Sequence, residues 1–81
     1  MIYDTLTKRE KEVLDYVVDG LSNDEIARLL FVCYDRVGTI VMNLYDKYMI
    51  DTQPKRVKLV LKRLEEMGID YKKMPPAKVG I

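Results

Sequence analysis

Leu6-Thr7-Lys8-Arg9-Glu10-Lys11-Glu12-Val13-Leu14 and, five residues further on, Gly20-Leu21-Ser22-Asn23-Asp24-Glu25-Ile26-Ala27 decide the fold of this chain. Each stretch holds an S/T-x-x-E pair, Thr7 with Glu10 and Ser22 with Glu25. In such a pair the hydroxyl accepts from the backbone N–H three residues on, and the glutamate reaches back to the cap's own N–H. Two helix starts are therefore written in the sequence. Gly20 stops the first helix, because it enters the left-handed region without a Cβ clash.

Working outward, the apolar spacing predicts four helices, over about 7–19, 22–31, 34–48 and 53–67. The first carries Val13, Leu14, Val17 and Val18 on one side, with Leu6 just before its cap. The second buries Ile26, Leu29 and Leu30 and has a small Ala27 at which a neighbouring helix can cross closely. In the third, Val37, Ile40, Val41, Leu44 and Tyr48 recur at the spacing of a buried helical face. The fourth has Pro54 in its first turn, where a missing N–H costs little. Its stripe is Val57, Val60, Leu61 and Leu64, and Gly68 ends it. No strand alternation competes. The expected architecture is all-α: a four-helix helix-turn-helix domain over residues 1–68, with an extended C-terminal tail over residues 69–81. The tail contains Pro75-Pro76 and Gly80 and has no helical period.

Eighty-one residues make one small domain with one core. There is no apolar run of membrane-spanning length and no signal-peptide pattern at the N-terminus, so a cytoplasmic protein is expected. The single cysteine, Cys33, suits a reducing compartment. With no histidine and one thiol, no metal site and no cofactor are expected. Catalysis is not expected either, since no imidazole is available as a base and the four glycines never cluster into a phosphate loop. Glu10, Glu12, Asp24 and Glu25 fall in first turns of helices, where carboxylates complement the dipole. Net charge is only +1, but residues 1–35 hold four basic and eight acidic side chains, whereas residues 36–81 hold ten and five. That asymmetry permits a basic face for a polyanion.

Leu-Thr-x-Arg-Glu-x-Glu-Val-Leu, then Gly-Leu-Ser-Asn-x-Glu-Ile-Ala, then a later Val and a Tyr-x-Lys resemble the LuxR/GerE-type DNA-binding domain of bacterial transcription regulators. The likeness runs from Leu6 to Gly68. The promoter-binding C-terminal region of sigma factors, which begins with a similar Leu-x-x-Arg-Glu-x-x-Val-Leu run, is the second family it is similar to. The LuxR/GerE resemblance implies a third helix that enters the major groove of duplex DNA and a fourth that makes a two-fold dimer contact. In the family this domain usually follows a sensory or receiver domain.

On that alignment Arg36, Gly38, Thr39, Met42 and Asn43 face the groove, and Lys47 holds phosphate. The exposed N–H groups at Ser22 and Asn23 hold phosphate as well. Val57, Val60, Leu61 and Leu64 are the candidates for dimer or partner contact, and Lys55, Arg56, Lys58, Lys62 and Arg63 form a basic outer side. Two positions depart from the family pattern. Gly38 stands where a basic residue is usual, and Cys33 stands where a Ser or Thr usually caps the helix. Two readings follow: Gly38 allows close approach to DNA, or the reading surface has been turned to binding another regulator or RNA polymerase. Asp35 on the same face, repelled by phosphate, favours the second.

Overall fold

The computed structural model describes residues 1–69 of the chain. A single 3-10 turn at Ile2–Thr5 precedes four helices: α1 at Lys8–Val18, α2 at Asn23–Leu30, α3 at Tyr34–Lys47 and α4 at Lys55–Glu66. Both capping boxes form. Thr7 N–H donates to Glu10 at 2.9 Å and Glu10 N–H donates to the Thr7 hydroxyl at 3.2 Å. Ser22 and Glu25 repeat the arrangement at 2.9 and 3.2 Å. Cys33 occupies the N-cap of α3 and makes no side-chain cap bond.

All four helices end in the same way. At the C-cap or just after it one residue is left-handed, its N–H returns to the carbonyl three residues back, and the next N–H returns to the carbonyl five back, which satisfies carbonyls the helix leaves open. Glycine takes the left-handed position after α1 and α4, at Gly20 and Gly68. Phe31 and Met49 take it after α2 and α3, with φ of 56° and 57°. The residue that follows is apolar every time: Leu21, Val32, Ile50 and Ile69. Leu21, Val32 and Ile50 of these join or pack against the core, and an apolar residue at this place is the usual companion of the hydrogen-bond pattern.

The core is Leu6, Val13, Leu14, Val17, Ile26, Ala27, Val37, Ile40, Val41, Leu44, Tyr48, Ile50 and Leu59. Its centre is α3, which packs against both α1 and α2. The third helix buries the stripe its spacing predicts. Expectations fail at Leu29, at Pro54 and in the inward face of α4. Leu29, expected in the core, is 52% exposed, and the second helix meets the core through Ile26 and Ala27 instead. Helix α4 starts at Lys55, with Pro54 as its N-cap rather than inside the first turn. The fourth helix also turns a different face inward: Leu59 is fully buried while Val57 is 53% exposed.

Val60 packs beside Leu59, and polar side chains add to the docking of α4. Arg56 donates to Asn23 at 2.7 Å and to the Leu21 carbonyl at 2.6 Å, tying the start of α4 to the start of α2. The guanidinium of Arg63 stacks over the Tyr3 ring, 3.6 Å from its centroid. Glu66 accepts from the Tyr48 hydroxyl at 2.5 Å and from the Tyr3 N–H at 3.3 Å. Burial, reinforced by the Glu66 carboxylate, pushes the Tyr48 phenol far above its ordinary value, so it stays a donor. Arg56 and Arg63 therefore do not belong to an outer basic side. The residues of the expected tail beyond Ile69 lie outside the described residues.

This register of α4 is testable by denaturant unfolding. Leu59→Ala should cost about 2–5 kcal/mol, as loss of a fully buried leucine does, while Val57→Ala should stay within about 0.5 kcal/mol. A larger loss at Val57 than at Leu59 would mean that α4 docks by its other face.

Candidate nucleic-acid interface

With Val37, Ile40, Val41 and Leu44 buried, the remaining side of α3 is fixed by geometry. At 3.6 residues per turn, positions 35, 39, 42 and 46 form one line opposite the buried stripe. Asp35, Thr39, Met42 and Asp46 are all exposed, Met42 to 65%. Arg36 and Asn43, both exposed, flank that line on one side, and Gly38, partly exposed, lies on the other. The structure thus brings Arg36, Gly38, Thr39, Met42 and Asn43 onto one helix surface. Thr39 donates its hydroxyl to the Asp35 carbonyl at 3.1 Å, so its proton is used within the helix. Arg36 forms no ion pair among the described residues.

Lys47 is in a different state. Its ammonium lies 2.7 Å from Glu10, on the same carboxylate oxygen that accepts from Thr7 N–H. The pair joins the start of α1 to the end of α3. Burial pushes the Glu10 carboxyl up, but the Lys47 ammonium and the Thr7 bonds outweigh it and hold the group below its ordinary value of 4.5. Any phosphate at Lys47 has to share that ammonium with Glu10.

At the start of α2, the capping box uses the N–H groups of Ser22 and Glu25, leaving those of Asn23 and Asp24 for an outside acceptor. The carboxyl of Glu25 is held below its ordinary value by the Ser22 N–H bond. The Asn23 side chain is taken by Arg56. Asn23 therefore has its backbone to offer and not its amide oxygen.

On α4, Val57, Leu61 and Leu64 fall roughly on the side opposite Leu59 and Arg63. Val57 is exposed, and Leu61 and Leu64 are half-buried. Val60, between the two faces, packs against the core. Lys62 is exposed, and Lys55 and Lys58 are partly so.

One surface feature has no signal in the sequence. Phe31 is 94% exposed, and Leu29 and Tyr34 beside it in the chain are exposed too. Of the run Leu29-Leu30-Phe31-Val32, the sequence reading places Leu29 and Leu30 in the core. The left-handed turn at Phe31 rotates its side chain outward while Leu30 and Val32 pack inward.

The profile of bacterial regulatory proteins of the luxR family matches residues 4–62. The CsgBAC operon transcriptional regulatory protein of Escherichia coli (strain K12) is 42% identical over 52 residues, which is 64% of this chain and 24% of that protein. The probable csgAB operon transcriptional regulatory protein of Salmonella typhimurium matches to the same extent. The HTH-type transcriptional regulator MalT of Yersinia pestis is 36% identical over 63 residues, 78% of this chain and 7% of that protein. The chain thus spans less than a quarter of the length of these relatives. No solved structure matches it. The chain belongs to the luxR family of bacterial regulatory proteins, a family of regulators and not of catalysts. No helix among the described residues is long and apolar enough to cross a membrane.

Among the described residues, nothing lies within 4 Å of where a Cβ at Gly38 would stand. Packing among the described residues does not require this glycine, and a helical glycine costs about 1 kcal/mol relative to alanine. Gly38→Ala should therefore raise unfolding free energy by about 1 kcal/mol in urea titrations. A loss of stability would mean that the α3 backbone there is held in a way that only glycine tolerates.

Proposed function

We propose that this luxR-family domain is a cytoplasmic transcription regulator that binds duplex DNA, with α3 in the major groove and a second copy of the chain docked on α4. The observation that carries the reading is the setting of α3: wedged on α1 and α2 by one face, it offers the opposite face whole. A recognition helix needs that rigid mounting and free outer side. Arg36 and Asn43 supply donors for base edges, and Thr39 and Met42 supply methyl groups. The free N–H groups at the start of α2 suit a phosphate, as helix N-termini do. The relatives it matches are transcriptional regulators, which supports the reading as a regulator.

The dimer rests on α4. Val57, Leu61 and Leu64 line up away from Leu59, and an apolar line outside the core is what a two-fold contact buries. A second reading, a domain that binds another regulator or RNA polymerase, is favoured by Asp35 and Asp46 on the outer line of α3 and by the ion pair that engages Lys47.

Salt separates the two readings. Duplex affinity should fall by orders of magnitude between about 50 and 200 mM salt, because each phosphate contact releases counterions. An apolar protein contact should hardly respond. Arg36→Ala should weaken DNA binding by about 1–3 kcal/mol; unchanged affinity would remove α3 from the groove. Val57→Asp should shift the chain from dimer to monomer in sedimentation while leaving its helical circular dichroism intact. A dimer that survives this change would have to use another surface.

A further inference from the structure

The outer line of α3 has an unusual chemistry for a helix facing DNA. It carries two carboxylates, a threonine whose hydroxyl proton is already donated to the Asp35 carbonyl, and a thioether, with no cation among them. Guanine presents two acceptors in the major groove, so this line offers it nothing. Cytosine presents an amino donor, which a carboxylate accepts, and thymine presents a methyl group, which apolar side chains cover. The donors sit on the flank: Arg36 next to Asp35, and Asn43 next to Met42. These neighbours match the other halves of the same base pairs, since Arg suits guanine and Asn suits adenine.

We infer that α3 reads a C·G pair with Asp35 and Arg36 and, about three base pairs away, a T·A pair with Met42 and Asn43. This rests on the groove-binding reading above and gives it a sequence preference. The separation follows from the helix: residues seven apart stand about 10 Å apart along the axis, and stacked bases rise about 3.4 Å each. A carboxylate near DNA is repelled by phosphate, so Asp35 is tolerated where it meets a base edge at the centre of the groove. Asp46, at the last turn, sets the end of the reading surface for the same reason. A first-turn aspartate also complements the helix dipole, but that role needs no particular base opposite it.

Selection of sites from randomised duplex DNA at low salt tests this, using the whole chain and its Asp35→Asn and Met42→Ala variants. All these side chains are exposed, so the variants keep the core. The wild-type chain should return a C·G and a T·A pair about three steps apart. Asp35→Asn should replace cytosine by adenine at the first, with discrimination of about tenfold to a hundredfold. Met42→Ala should relax only the T·A position. The same selected site for the wild type and Asp35→Asn overturns the base assignment while leaving groove binding intact. A wild-type chain that retains no duplex overturns groove binding, and the base assignment with it.

Discussion

Val37, Ile40, Val41 and Leu44 lie on one side of α3, and α1 and α2 close over them to form the centre of the core. That burial fixes the rotation of α3 about its own axis. A turn of one residue would carry a buried valine or leucine into water, at about 1.5–3 kcal/mol per side chain. The surface α3 presents, from Asp35 to Asp46, is thus the complement of a packing choice made inside. The helix gains its rigidity from the same contacts, and a surface meant to match a fixed ligand needs that rigidity.

The ends of the helices serve this centre. Two capping boxes and four left-handed turns set the lengths of the elements to within a residue or two, so short helices can meet at defined angles. The Lys47–Glu10 pair links the last turn of α3 to the first turn of α1. It uses the carboxylate that also closes a capping box, so protonation of Glu10, which is complete only once pH has fallen through a value below the ordinary 4.5, would loosen two elements together. Phe31 and Met49 stand where the same turn favours glycine. Each side chain is left in solvent.

Helix α4 is attached differently. Buried Leu59 and partly buried Val60 meet the core, and the head groups of Arg56 and Arg63, with Glu66 and Tyr48, supply hydrogen bonds and a ring contact. Arginine buries its aliphatic stem while its head finds acceptors. A helix docked in this way leaves Val57 exposed and Leu61 and Leu64 only half-buried. Val57, Leu61 and Leu64 are then available to a second chain without competing with folding.

The sequence by itself determined the helices and most of the core. Caps and stops are local chemistry: Thr7, Glu10, Ser22, Glu25, Gly20 and Gly68 act on neighbours a few residues away, so their reading does not depend on the rest of the chain. The buried face of α3 was equally legible, because five apolar residues at helical spacing leave one choice of side. Only the tertiary structure decided the face of α4, the exposure of Leu29 and Phe31, and the state of Lys47 and Asn23. Hydropathy ranks arginine as outward and leucine as inward, yet Arg56 and Arg63 turn inward because acceptors and an aromatic ring from distant parts of the chain wait there. Lys47 and Glu10 are far apart in sequence and meet only once α1 and α3 have packed. Long-range partners decide such side chains, and spacing along one helix carries no record of them.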